Sequence, residues 1–153
     1  MKYTKPLILT IAVLFMATSF GMSQRPVAAD ESDIDYVHDL ILDGKYKQLK
    51  MFLSGGDYAN LEDEIGNSPL FFAVKVGDKK IIDLLIENEA NVNKANETGT
   101  TPLMIAAKYG NTYAVKTLIK HGADPMALNN SGHTAETYAS AFKHNHIKSL
   151  LKK

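Results

Sequence analysis

Gly99-Thr100-Thr101-Pro102-Leu103-Met104-Ile105-Ala106-Ala107-Lys108-Tyr109-Gly110 holds a helix start, a short apolar helix and a helix stop in one stretch. The Thr101 hydroxyl is placed to cap free amides, and Pro102 supplies a preset φ for the first turn. Gly110 follows where a left-handed C-cap would end the helix. A second apolar-periodic run, Tyr113 to His121, comes next, and Gly122 closes it. Asn96 stands three residues before Gly99, a pairing that fits a tight turn. The segment predicts a turn followed by two short antiparallel helices.

The same text recurs every 33 residues. Gly66, Gly99 and Gly132 form one column, and Gly44, Gly77 and Gly110 another. Ala73, Ala106 and Ala139 form a third, and Phe52, Leu85, Leu118 and Leu151 a fourth. The unit before the one quoted runs Gly66-Asn67-Ser68-Pro69-Leu70 to Gly77, then Lys80 to Glu87. One such unit cannot bury its own apolar face, so about three or more must stack.

With Ser68-Pro69-Leu70 and Thr101-Pro102-Leu103 at this period, the chain resembles the ankyrin repeat, whose signature is Thr-Pro-Leu-His-x-Ala. The resemblance implies an all-α solenoid of stacked helix-turn-helix units with β-turn tips. Four units are expected, at about 32–65, 66–98, 99–131 and 132–153, within a domain of 30–153. The signature histidine is replaced by Phe71 and Met104 in the middle units. The first unit lacks the Thr-Pro start but keeps Leu40, Gly44, Leu49, Phe52 and Leu53 in register. The fourth reads Thr134-Ala135-Glu136 in its place and ends with Lys143, Lys148, Lys152 and Lys153. Both ends read as polar caps.

Residues 1–29 have a different character. Lys2 and Lys5 precede an apolar core from Leu7 to Phe20, and Val27-Ala28-Ala29 supplies small residues. This is the order of a bacterial-type secretory signal, with cleavage expected after Ala29. The alternative is an uncleaved anchor, which the apolar run barely has the length to form and which Thr10, Thr18 and Ser19 dilute. The expected location is the periplasm or outside the cell, with no stable membrane insertion after cleavage. Seventeen basic and seventeen acidic residues balance over all 153. Loss of Lys2, Lys5 and Arg25 leaves 14 against 17, a mildly acidic product unsuited to nucleic acid. The sequence has no cysteine, which excludes disulfides, thiolate metal sites and a cysteine nucleophile.

The resemblance implies a binding scaffold for another protein, working as a monomer without cofactor, metal or reaction of its own. The role could be that of an inhibitor or immunity-type protein, an accessory factor for a periplasmic enzyme, or a secreted effector. The partner-facing tips would be Glu64, Ile65 and Asn67, then Glu97, Thr98 and Thr100, then Asn130, Ser131 and His133. On the first helices the matching positions are Lys75 and Val76, then Lys108 and Tyr109, then Ala141 and Phe142. Val76, Tyr109 and Phe142 form either a contact stripe facing the groove or padding between repeats. The neighbouring column Phe72, Ile105 and Tyr138 reads as core. His121 reads as a helix-end partner of the last carbonyls, and His144 and His146 would diverge on a helix. No catalytic or metal-ligand motif is present. Asn96-Glu97-Thr98 and Asn129-Asn130-Ser131 match glycan acceptor sequons, at a spacing set by the turn they occupy.

Overall fold

The computed structural model describes residues 31–152; the signal-like segment of 1–29 lies outside them. Eight α-helices occur among the described residues, and no strand. They are α1 (Glu31–Leu42), α2 (Tyr46–Leu53), α3 (Pro69–Val76), α4 (Lys79–Glu87), α5 (Pro102–Lys108), α6 (Thr112–Lys120), α7 (Ala135–Ala141) and α8 (Asn145–Leu151). A 3₁₀ turn spans Tyr58–Asn60. The inner helices α1, α3, α5 and α7 stack in chain order, and the outer helices α2, α4, α6 and α8 pack behind them. The architecture is an all-helical repeat solenoid. No helix among the described residues is long and apolar enough to cross a membrane.

The predicted caps close the inner helices. Ser68 Oγ accepts from the Phe71 amide and Thr101 Oγ1 from the Met104 amide, each at 3.3 Å. Thr134 Oγ1 accepts from the Thr137 amide at 3.2 Å. Each such cap stabilises a helix by about 1 kcal/mol. Where the family signature carries histidine, Met104 Sδ lies 3.5 Å from the Thr101 amide, a weak acceptor in its place. Asp78 and Asn111 cap the outer helices α4 and α6.

The core consists of columns that cross the repeats. Val37, Leu70 and Leu103 are buried in one, and Leu49, Ile82 and Val115 in another. In the fourth unit these columns end in Glu136 and Lys148. Lys148 Nζ lies 3.7 Å and Lys152 Nζ 3.8 Å from Glu136 Oε1. Charged side chains thus stand in these columns in the fourth unit, where the earlier units carry apolar ones. At the other end Tyr36 meets Phe52 edge-on at 5.3 Å, and Phe52 packs on Tyr58 at 4.4 Å.

His38 in α1 occupies the signature-histidine column of the first unit, 33 residues before Phe71. Its ring lies on Phe72, centroids 3.6 Å apart, and its Nε2 is buried without a hydrogen-bond partner. Burial pushes the imidazole below its ordinary value, against the opposing pull of Asp63, Asp35 and Asp39.

Among the described residues, two helix ends carry a side chain in left-handed backbone where a glycine would be unstrained. Glu89 (φ 63°) stands in the column of Gly122, and Lys143 (φ 60°) in the column of Gly77 and Gly110. Left-handed backbone costs a side-chain-bearing residue about 1–2 kcal/mol, partly offset by the greater freedom of unfolded glycine. Glu89→Gly and Lys143→Gly should therefore each raise stability by about 1 kcal/mol in urea titration. They lie in different repeats and should add.

The folded state holds His38 neutral, so the unfolded chain takes up its proton more readily. Its contribution to stability is full above the ordinary histidine pKa of about 6.5 and declines as pH falls through the lowered folded value. The urea midpoint should drop between about pH 7 and 5, and His38→Gln should flatten that drop.

Candidate functional site

Each tip is closed by one side-chain oxygen in the column Asp63, Asn96, Asn129. Asp63 Oδ1 accepts from the amides of Ile65 (3.1 Å) and Asn67 (2.7 Å). Asn96 Oδ1 accepts from Thr98 (3.1 Å) and Thr100 (3.0 Å), and Asn129 Oδ1 from Ser131 (3.0 Å) and His133 (2.9 Å). Successive tips are then joined. The Glu97 amide donates to the Ile65 carbonyl at 3.1 Å, and the Asn130 amide to the Thr98 carbonyl at 3.0 Å. This approach leaves no room for a Cβ at Gly99, which would fall 2.9 Å from the Asn130 backbone nitrogen.

The tips therefore present a tied, ordered edge. Glu64, Ile65, Glu97, Thr98, Asn130, Ser131 and His133 are exposed on it. Asn67 and Thr100 are not: they are buried, 6% and 7% exposed. Asn67 Oδ1 accepts from the Asn96 side-chain amide at 2.9 Å, and Thr100 Oγ1 meets Thr98 Oγ1 at 2.8 Å. Both sequons lose their amide nitrogen to the fold, since Asn129 Nδ2 donates to the Tyr138 hydroxyl at 3.0 Å and Asn96 Nδ2 to Asn67.

The second surface is the far end of the inner helices. Val76, Tyr109 and Phe142 are 46%, 49% and 47% exposed, so this column does not pad the inter-repeat core. The reason is local. Val76 is the last residue of α3, while Tyr109 and Phe142 are the C-caps of α5 and α7. The next residue in each unit is left-handed and turns the chain away, leaving these side chains past the helix end. Of the neighbouring column, Ile105 is buried and Phe72 and Tyr138 are half-buried.

Lysines flank the stripe. Lys75 is exposed, and Lys108 Nζ sits 5.6 Å from the Tyr109 ring centroid and 5.7 Å from that of Phe142. Cation–π contacts of this kind at exposed sites contribute about 0.5–1 kcal/mol. The contact with Phe142 joins the third repeat to the fourth on this face. Below it, His144 Nε2 donates to the Lys108 carbonyl at 3.2 Å, with its ring against Gly110. His144 thus fastens the fourth unit to the third, as Asn111 Nδ2 fastens the third to the second through the Val74 carbonyl at 3.2 Å. Neither role was legible in the sequence, because each needs the position of a neighbouring helix end.

Two further histidines are tied into the scaffold. His121 Nδ1 lies 2.8 Å from the Thr117 carbonyl at the end of α6, the helix-end role expected of it. His146 Nε2 pairs with Thr112 Oγ1 at 2.7 Å, and its ring stands 6.3 Å from that of His144. Among the described residues no three His, Asp or Glu side chains converge as metal ligands would. A shallow groove of about 320 Å³ between α4 and α6 is spanned by the Tyr113 hydroxyl, which donates to the Asp83 carboxylate at 2.6 Å. That bond holds the Tyr113 phenol above its ordinary pKa.

Comparison with known proteins agrees with this architecture. No curated protein matches the chain. A family model described as ankyrin repeats (3 copies) matches residues 37–129 and 89–153, well over half of the sequence. Proteins of this kind are in general interaction scaffolds without a reaction of their own. The periodic columns, the capped helix pairs, the tied tips and this match lead to one conclusion: the chain belongs to the ankyrin repeat family.

Proposed function

We propose that the chain is an exported ankyrin-repeat protein that holds another protein against its tips and the Val76–Tyr109–Phe142 stripe, by non-covalent docking alone. The observation that carries this reading is the exposure of three apolar side chains, two of them aromatic, in one column across adjacent repeats. Aromatic side chains lose little conformational freedom on binding and anchor protein interfaces well. The exposed tip residues Glu64, Ile65, Glu97, Thr98, Asn130, Ser131 and His133 form the other rim. Inhibition of a toxin or enzyme in the cell envelope suits a scaffold of this size, since it requires only that a surface be covered.

Export rests on the Lys2/Lys5, Leu7–Phe20 and Val27–Ala29 pattern. Expression of the full chain in a bacterial host should yield a periplasmic or secreted product whose intact mass lacks residues 1–29. A product of full mass in the membrane fraction would point to an uncleaved anchor.

The docking surface is tested by capture from envelope extract followed by mass spectrometry, comparing the native chain with the Tyr109→Ala/Phe142→Ala double variant. The variant should lose the captured partner by at least about tenfold, as expected of two interface anchors. It should stay folded, with a stability change under about 1 kcal/mol because both rings are half-exposed. Undiminished capture by a folded variant would remove the stripe from the interface.

A further inference from the structure

The inner-helix columns change chemistry between the first repeat and the others. Asp39 occupies the column of Phe72, Ile105 and Tyr138, and Asp43 that of Val76, Tyr109 and Phe142. Both aspartates are exposed. In the second and third repeats Lys75 and Lys108 directly precede the stripe residue, and in the fourth Lys143 directly follows it. Among the described residues no carboxylate lies within ion-pair distance of these three lysines; the ion pairs fall at Asp43–Lys45, Glu62–Lys94 and Glu136 with Lys148 and Lys152. The Asp43–Lys45 pair is exposed on both sides and so holds its carboxylate weakly.

The tip acids Glu64 and Glu97 do not neutralise the lysines. They stand at the opposite ends of α3 and α5, about 12 Å away for an eight-residue helix. That exceeds the screening length of about 8 Å at physiological ionic strength. Beside the Tyr109 and Phe142 rings, by contrast, an arriving carboxylate meets the Lys108 ammonium directly.

Resting on the docking role proposed above, we propose that this face binds an extended protein segment whose charge is ordered. Carboxylates interleaved with apolar side chains lie along the second to fourth repeats, and a cation lies over Asp39 and Asp43 of the first. Four inner helices at about 8–10 Å spacing span roughly 25–30 Å. About eight or nine extended residues cover that distance. The acidic first repeat thus fixes which end of the segment lies where, because it repels the carboxylate-bearing end.

A displayed library of random nine-residue peptides, selected on the full chain, tests this. The selected pool should carry Asp or Glu among Leu, Phe or Tyr towards one end and Lys or Arg towards the other. Lys75→Glu/Lys108→Glu should weaken the selected peptides at least about tenfold in fluorescence anisotropy and turn its own selected pool basic. Asp39→Asn/Asp43→Asn should cost about threefold and remove only the preference for the terminal cation. Circular dichroism melts establish that the variants fold.

A pool that is basic throughout, shows no charge bias or fails to enrich overturns the proposal, as does a charge-reversed variant that binds within twofold of the native chain. So does sedimentation as a dimer that Tyr109→Ala dissolves, because a second copy then fills the groove. If charge reversal has no effect while Tyr109→Ala/Phe142→Ala abolishes peptide binding, the charge order fails and the stripe stands. If the double alanine variant binds normally, the stripe itself fails.

Discussion

Everything in this chain depends on burying one face of each inner helix against its neighbour. Val37, Leu70 and Leu103 have almost no exposed surface in the stack, where each inner helix contacts the next. A fully buried leucine contributes about 1.5–3 kcal/mol, and in a repeat array part of that burial comes from the neighbouring unit. Cooperativity is therefore built between units rather than within them. The ends then pose the problem that the middle avoids. The fourth unit meets it by ending two apolar columns in Glu136 and Lys148, which face each other. The first meets it with the Tyr36–Phe52–Tyr58 aromatic cluster.

A second layer of contacts keeps this stack in register. The tips are bonded one to the next through Ile65, Glu97, Thr98 and Asn130. At the opposite end of the outer helices, Asn60 Nδ2 donates to the Glu89 carbonyl at 3.0 Å and Asn93 Nδ2 to the Gly122 carbonyl at 2.9 Å. Met126 falls in the same column and is exposed. Directional bonds at both edges fix the rotation between neighbours, which apolar packing alone leaves loose. A fixed rotation is what aligns Val76, Tyr109 and Phe142, so the candidate surface is a product of the edge bonding as much as of its own residues.

The helix caps and turn closures were legible because they are local. Ser68, Thr101 and Thr134 bond amides three residues away, and Asp63, Asn96 and Asn129 close turns within five residues. The tips were read less completely. Asn67 and Thr100 look like surface polar residues, but each lies beneath its turn, where its side chain meets another polar group. Their burial depends on how the tip folds over the inner helix, which composition does not encode. The burial of His38 likewise depends on the next repeat, since its ring lies against Phe72.

The sequence by itself determined the period, the helix pairs and their caps. Those follow from interactions spanning a few residues and repeated at a constant interval. Only the tertiary structure decided which apolar column faces outward. Phe72, Ile105 and Tyr138 precede Val76, Tyr109 and Phe142 by four residues, one helical turn, so periodicity places both on the same side. The first column ends against neighbouring repeats and the second beyond the helix ends, where the left-handed residue that follows bends the backbone away. A difference of one turn relative to a helix terminus separates core from surface, and that terminus is set by the packing of its neighbours.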